Sequence, residues 1–411
     1  MNAKSGSNQT GLKDANLSRI IRALHFDENC TRVSLARDMG LTQASITKLV
    51  NELIRSGLVV ETNSVESSKG RRPIRIKLNG NKYLTLSGRV NRDYVSAALY
   101  NINGRLCYYN DERIRPAGGA REAMNHLKRM MREGLQIAQA TVLGIGMALP
   151  GPFDARHGRI ALMSGFPGWE QIDIRRELNE ALALPVFLEQ DANCGALAEL
   201  WYGKYRNLNN MLYIAGDRGV GAGLILNGQL YKGMSGFAGE LGHMSINCFG
   251  PLCECGNRGC LELYGSAVAL EEEYQRSLFD LWQRGEGRSR AGSVTARDIC
   301  RMVREDDALA RCAYEKTIGY LAFGTAGMIN TLNPEAVIYA DRITEGGQFF
   351  LEVVRETLKR HLMRDVYEEL IVDTSALQNA PTVRDPMLLG ASVLVIEQML
   401  ETPSQTLLNQ P

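Results

Sequence analysis

Leu17, Ile20, Ile21 and Leu24 repeat at i, i+3, i+4 and i+7, the spacing of one apolar helix face. They predict a first helix that Asp14 caps at its start. A second, shorter helix is predicted over residues 33–39, with Leu35 and Met39 inward. Gly40 breaks it, Thr42 can cap the next, and Ile46, Leu49, Val50 and Leu53 form another apolar stripe ending near Ser56. Helix, short helix, glycine turn, helix is the helix-turn-helix order. Gln43, Ser45, Thr47, Lys48 and Asn51 lie off the stripe, where polar groups can meet base edges and phosphates. After Gly57 the period drops to two, so residues 58–61 and 74–78 read as the strands of a hairpin. Its tip, Gly70-Arg71-Arg72-Pro73, offers Arg71 and Arg72 to a minor groove. A three-helix module with no DNA role is the plain alternative, and the basic tip argues against it.

From Tyr83 the chain becomes α/β in character. Residues 83–90, 94–101 and 105–110 are short β-rich runs, and a helix is predicted over about 121–139. An apolar strand at 142–149, a helix at 173–182 and a strand at 186–188 follow, and then Gln190-Asp191-Ala192-Asn193. Ligand groups gather at the carboxyl ends of strands in open α/β sheets, which is where Asp191 and Asn193 stand. The second half repeats the scheme. A strand at 211–215 leads into Gly219-x-Gly221-x-Gly223, which on its own reads as a tightly packed hairpin rather than a phosphate cradle. Helices begin at about residue 267, break over the Gly/Arg/Ser-rich stretch 285–292, and resume to 330. A strand at 336–339, a helix at 346–361, a short strand at 371–372 and a closing helix at 387–400 complete the chain.

Composition adds location and charge. With 411 residues, 45% apolar and 23% charged, the chain suits two or three ordinary globular domains. No run of 18 apolar residues occurs and the first residues are polar, so a cytoplasmic protein without membrane insertion is expected. The net charge of +1 hides an uneven distribution. Residues 1–80 carry 13 Lys and Arg against 7 Asp and Glu, a surplus of six, which leaves the remainder at −5. A basic head on a mildly acidic body points to nucleic acid.

Nine cysteines, an odd number clustered locally, fit a reduced compartment with one metal site. Cys253-x-Cys255-x4-Cys260, with His243 ten residues earlier and glycines at 256 and 259, is a four-ligand loop. Such a set suits tetrahedral zinc, closed and therefore structural, one per chain. Cys30, Cys107, Cys194, Cys248, Cys300 and Cys312 are expected to pack as small apolar groups. Glu240 and Glu262 flank the ligands without joining them.

Gly219-x-Gly221-x-Gly223, Gly236-x-x-Gly239-Glu240-Leu241-Gly242-His243 and Cys253-x-Cys255-Gly256-x-x-Gly259-Cys260-x-Glu262, behind a winged helix-turn-helix, resemble the ROK (repressor, open reading frame, kinase) family, in particular its N-acetylglucosamine and xylose repressors. The resemblance runs over residues 13–400. It implies an α/β fold with a winged helix-turn-helix domain over 1–80 and two actin-like lobes. Lobe I spans 81–195, completed by 386–411, and lobe II spans 196–385 with the zinc loop and an oligomerisation surface. It also implies that Gln190, Asp191, Glu240, His243 and Glu262 hold a sugar, with Gln190 where sugar kinases have Asn. His243 would serve zinc with one ring nitrogen and sugar with the other.

Departures from the family's kinases argue for a receptor. Ser87-Gly88-Arg89-Val90-Asn91 replaces the first phosphate loop, Arg218 takes a threonine position in the second, and Ala340-Asp341 replaces a late Gly-Gly. Phosphoryl transfer depends on positioning the triphosphate and its metal. No catalytic residue is therefore expected, Asp191 being a vestigial base. Gly165 also stands where those kinases often have a sugar-binding Asn. The expected protein is a transcriptional repressor of carbohydrate genes, binding a small sugar and an A·T-rich palindromic operator as a homodimer or homotetramer. The alternatives are a DNA-tethered ROK sugar kinase and a repressor controlled by a partner protein.

Overall fold

Capping and periodicity account for the first elements. α1 (Lys4–Phe26), α2 (Arg32–Met39) and α3 (Gln43–Arg55) bury the predicted Leu17, Ile20, Ile21, Leu24, Leu35, Ile46, Leu49, Val50 and Leu53. Thr31 and Ser34 form a capping box on α2, and Gly40 ends it at φ +66°. Thr42 caps α3 by accepting the Ser45 N–H at 3.2 Å. Two details differ from expectation. Met39 is only half-buried, and Ala36 takes the inward place. Asp14 does not cap α1, which starts ten residues earlier; its buried carboxylate instead accepts the backbone N–H of Ser404, in the first turn of the helix at 403–406, at 2.9 Å. The strands β1 (Val59–Thr62) and β2 (Arg75–Leu78) pair antiparallel, Val59 opposite Leu78.

This computed structural model describes residues 4–27, 29–62, 74–115, 118–154, 157–160, 163, 166–284 and 294–406. Arg71, Arg72 and Gly165 lie outside them. The chain continues through β3 (Tyr83–Val90), β4 (Tyr94–Asn101), β5 (Leu106–Arg113), α4 (Gly119–Ile137), β6 (Thr141–Leu149), and the two-residue strands β7 (Phe153–Asp154) and β8 (Arg159–Ile160). Then come α5 (Ile174–Leu182), β9 (Val186–Gln190), α6 (Asp191–Tyr202), β10 (Met211–Gly216), β11 (Val220–Leu226) and β12 (Gln229–Leu230). The remainder is α7 (Glu262–Gly265), α8 (Ala267–Gln283), α9 (Ala296–Arg304), α10 (Ala308–Leu332), β13 (Ala336–Ala340), α11 (Gln348–His361), α12 (Arg364–Glu369), β14 (Ile371–Thr374), α13 (Pro386–Glu401) and α14 (Pro403–Thr406).

Two compact units result. The first comprises Met1–Ala148, Asp173–Glu189 and Ala391–Pro411; the second comprises Leu149–Ile172 and Gln190–Gly390. The first contains the sheet β5-β4-β3-β6-β9, with β3 antiparallel to β4 and parallel to β6. The second contains β12-β11-β10-β13-β14, with β10 antiparallel to β11 and parallel to β13. Numbered within its own sheet, each has the strand order 3-2-1-4-5, so the similar build of the two halves is a repeated topology. In the first unit, α4 buries Met124, Leu127, Met130 and Met131. In the second, Tyr314, Ile318, Leu321 and Ile329 of α10 share one core with Phe350 and Val354 of α11.

The glycine run lies mostly inside β11 and is there for packing. A Cβ on Gly223 would lie 2.5 Å from the Ala192 carbonyl oxygen and from the Ala196 Cβ, so glycine lets α6 lie directly on the strand.

Candidate metal centre and ligand site

All of the proposed ligand side chains but those on the head belong to the second unit. The loop that holds the cysteines leaves β12, passes through a single helical turn at Leu241–His243, and ends at Glu262 on α7. Gly239 anchors its start at φ +93°, where a Cβ would sit 2.0 Å from the Ala222 carbonyl oxygen. Gly256 and Gly259 also take positive φ, as a short loop wrapped about one point requires. The Cys253 N–H donates to the Asn257 carbonyl at 2.8 Å, and the Leu261 N–H to the Met244 carbonyl at 2.9 Å. The ligand atoms of His243, Cys253, Cys255 and Cys260 consequently all lie within 4.8 Å of one another.

That cluster could hold a metal ion. Cys255 Sγ and Cys260 Sγ are 3.7 Å apart, and Cys253 Sγ is 3.8 Å from His243 Nδ1. A tetrahedron with metal–sulfur bonds of about 2.3 Å has edges of about 3.8 Å, so the spacing suits such an ion. Burial pushes the Cys253 and Cys260 thiols up, so without a cation they keep their protons.

Four further groups converge on His243 and its neighbours. Its Nε2 lies 3.9 Å from Glu240 Oε2, on the side away from the thiols. Glu262 Oε1 lies 3.4 Å from His243 Nδ1 and accepts the Cys253 S–H at 3.2 Å, so one oxygen of this carboxylate stands among the metal-binding atoms rather than clear of them. Gln190, the last residue of β9, donates from Nε2 to Glu240 Oε1 at 3.0 Å. Asp191 opens α6, where the helix dipole favours a carboxylate, and its Oδ1 accepts the Ala192 N–H at 2.8 Å. Burial raises the Glu240 carboxyl, the charge of His243 opposes this, and the charges of Asp191 and Glu262 add to it. Asn193 is fully buried in α6. Gln190, Asp191, Glu240, His243 and Glu262 thus form one polar cluster beside the three cysteines.

Sequence reading missed the partner of Asp217. Arg342, just after β13, donates from Nε to Asp217 Oδ1 at 2.6 Å and ties the end of β13 to the β10–β11 turn. Burial opposes the charge on Arg342, but the hydrogen bond to Asp217 wins and raises it. Asp341 donates its N–H to Gln378 Oε1 at 2.7 Å. Arg218 is exposed.

On the head, Gln43, Ser45, Lys48 and Asn51 are exposed on α3 and Thr47 is half-buried. Asn51 Oδ1 accepts from Arg32 Nη2 at 3.1 Å, and Arg32 also pairs with Glu61 at 2.7 Å. Arg32 is a second residue that periodicity did not single out.

A model of the ROK family matches residues 89–398. Over 403 residues the chain is 28% identical to the xylose repressor of Caldicellulosiruptor bescii, covering 96% of this chain and 99% of that one. It is 29% identical over 403 residues to the xylose repressor of Bacillus subtilis, covering 96% and 98%. It is 27% identical over 395 residues to the DNA-binding transcriptional dual regulator NagC of Escherichia coli, covering 95% and 94%. Among solved structures, a ROK family transcriptional regulator, homolog of the E. coli MLC protein, matches at TM-score 0.81 and 25% identity, over 97% of this chain and all of that one. The ROK hexokinase from Thermus thermophilus matches at TM-score 0.62 and 27% identity, over 77% of this chain and 99% of that one.

Proposed function

The chain belongs to the ROK family, and on that premise we propose that it is a DNA-binding transcriptional repressor of carbohydrate genes whose grip on its operator is set by a sugar. The observation that carries this reading is the extent of likeness. Repressors match the chain over 95–96% of its length, head included, whereas the hexokinase spans 77% of it.

Residues 1–80 are the winged DNA-binding head in this reading. The exposed face of α3, with Gln43, Ser45, Lys48 and Asn51 and with Thr47 beside them, enters the major groove. Arg71 and Arg72 serve the minor groove. Two copies of the chain read the two halves of a palindromic operator. Residues 81–195 with 386–411, and residues 196–385, are the two lobes of the sensor.

The sugar is held by Asp191, Glu240, His243 and Glu262, with Gln190 at the edge. Carboxylates accept several hydroxyl protons at once, and such charge-assisted bonds are the stronger kind. The metal is zinc, with a structural role: bound by His243 Nδ1 and the three thiolates, it fixes the ring so that Nε2 faces the ligand. The protein acts without phosphoryl transfer. The Arg342–Asp217 pair supports this, since it spans the turn where the family's kinases keep a phosphate loop. Sugar changes DNA binding because it prefers one of two states of the protein.

The test is a fluorescence anisotropy titration of the full chain with DNA from its own genomic neighbourhood, with and without a panel of monosaccharides. Saturable binding that some sugar shifts is expected. No binding to any fragment defeats the repressor reading, and sugar-dependent ADP release that Asp191→Asn abolishes establishes the kinase instead.

A further inference from the structure

α13 is shared between the two units: residues 386–390 belong to the second and residues 391–401 to the first. Every residue from Met387 to Ile396 is buried, so the helix is encased all round. Asp385 fixes its start by accepting the Met387 N–H at 2.9 Å. At the crossing, backbone meets backbone. Within the second unit, a Cβ on Gly390 would lie 1.6 Å from the carbonyl oxygen of Cys194 on α6. Within the first, a Cβ on Gly146 of β6 would lie 1.8 Å from the carbonyl oxygen of Ala391. Contacts with no side chain between them cannot absorb a shift by changing rotamer. Cys194 stands about one turn after Asp191, the proposed ligand residue that opens α6.

The far end of α13 is fastened to α1, within the first unit. A helix leaves its last four carbonyls without donors of its own. That of Leu400 accepts from the Ser18 hydroxyl of α1, and that of Met399 from the Thr406 hydroxyl at 3.1 Å. α14 packs on α1, where the Asp14 carboxylate, 7% exposed, accepts the Ser404 N–H at 2.9 Å. Arg22 and Glu397 pair at 3.5 Å, but both are partly exposed and such a pair adds little. From Gly390 to Leu400 the helix runs about 15 Å. Its start lies against α6, and its end holds α1.

We propose that α13 carries the ligand state of α6 to the DNA-binding head, and that Asp14 and Ser18 are the positioning residues which fasten the head to it. This rests on the repressor reading above. A ligand that Asp191 holds favours one position of α6, and the glycine contact passes that position to α13. Packed elements switch between discrete arrangements rather than deform, so a small shift at the ligand is enough. The size of the effect is set by the difference in ligand affinity between the two states. Without the bonds from Asp14 and Ser18 the head is loose on the end of the helix, and DNA binds alike with and without sugar.

Anisotropy and calorimetry on the full chain test this, with DNA from its own genomic neighbourhood and with D-xylose, D-glucose and N-acetyl-D-glucosamine as probes. In the unaltered protein, a sugar that binds should shift the DNA affinity by at least about fivefold. In the double variant Asp14→Ala, Ser18→Ala the same sugar should bind within about twofold of the parent, while the shift falls below about twofold. Asp14→Asn, which keeps an acceptor oxygen, should retain the parent's shift. A merely structural role for the two residues would weaken DNA binding equally with and without sugar and leave the shift intact. That outcome overturns the inference and leaves the repressor reading standing. Silence from all three sugars removes the sensor reading, and the inference with it. If the double variant fails to fold, hydrogen exchange of the unaltered protein decides. Adding the sugar must alter exchange in α1 and in residues 391–401, and a change confined to the second unit overturns the proposal.

Discussion

Single side chains in this protein are governed by what burial does to charge. Glu199 on α6 is buried and accepts a hydrogen bond from the Ser375 hydroxyl. Burial pushes its carboxyl from 4.5 to about 7, the hydroxyl opposes this, and the charge of Asp373 adds to it. Because the folded value lies above the unfolded one, the folded chain keeps a proton that the unfolded chain has lost. The associated stability is complete below about pH 4.5 and is lost as the pH rises through about 7, a swing of roughly 3 kcal/mol. Glu199→Gln should flatten that dependence, so urea midpoints of the variant and the parent will diverge between about pH 5 and pH 8. A constant gap would mean that Glu199 ionises freely. Cys255→Ser acts on the metal loop in a similar single-residue way. With zinc in the proposed site, plasma emission spectrometry should find one zinc per chain in the parent and none in the variant, and the loop leading to Glu262 should become sensitive to protease. Undiminished zinc would remove Cys255 from the ligand set.

At the scale of elements, close approach and exposed faces decide what each helix does. α6 lies on β11 only because Gly223 has no side chain. Gly223→Ala should therefore destabilise by about 1–3 kcal/mol, as overpacking usually does. Gly319 in α10 has open space around its Cβ position, and Gly319→Ala should stabilise by about 0.5–1 kcal/mol. Denaturant melts of the two variants must move in opposite directions, and movement the same way would contradict the packing described here. α3 makes a different prediction, because its exposed face has no internal partner for Lys48 among those described. Lys48→Ala should weaken DNA binding and lower the slope of log affinity against log salt by about 1. An unchanged slope would place Lys48 away from the phosphates.

For the whole molecule, the prediction is reciprocity. If a sugar lowers operator affinity by some factor, saturating operator must lower the affinity for that sugar by the same factor. Anisotropy and calorimetry on one preparation measure both, and unequal factors would show that the two titrations report different species. The repeated 3-2-1-4-5 sheet is also a property of this scale. Sequence reading caught it only as two similarly built halves, because strand order follows from pairings between residues far apart. The helical head was legible in detail, down to Thr42 as a cap and the four apolar residues of α3, since caps and stripes involve neighbours three or four positions apart. Asp14 was misread because its partner, Ser404, lies 390 positions along the chain.

The sequence by itself determined the apolar stripes and the turn of the head, the α/β alternation, and the four side chains of the loop that could hold a metal. Each rests on local periodicity or on spacing within one short loop, where covalent connection already limits what can meet. Only the tertiary structure decided that Arg342 holds Asp217, that Gln190 reaches Glu240, that Glu262 leans into the thiol cluster, and that Gly223 packs against Ala192 and Ala196 of α6. Contacts of this kind depend on how sheets and helices stack, and stacking is set by the shapes of buried surfaces, which no spacing along the chain records.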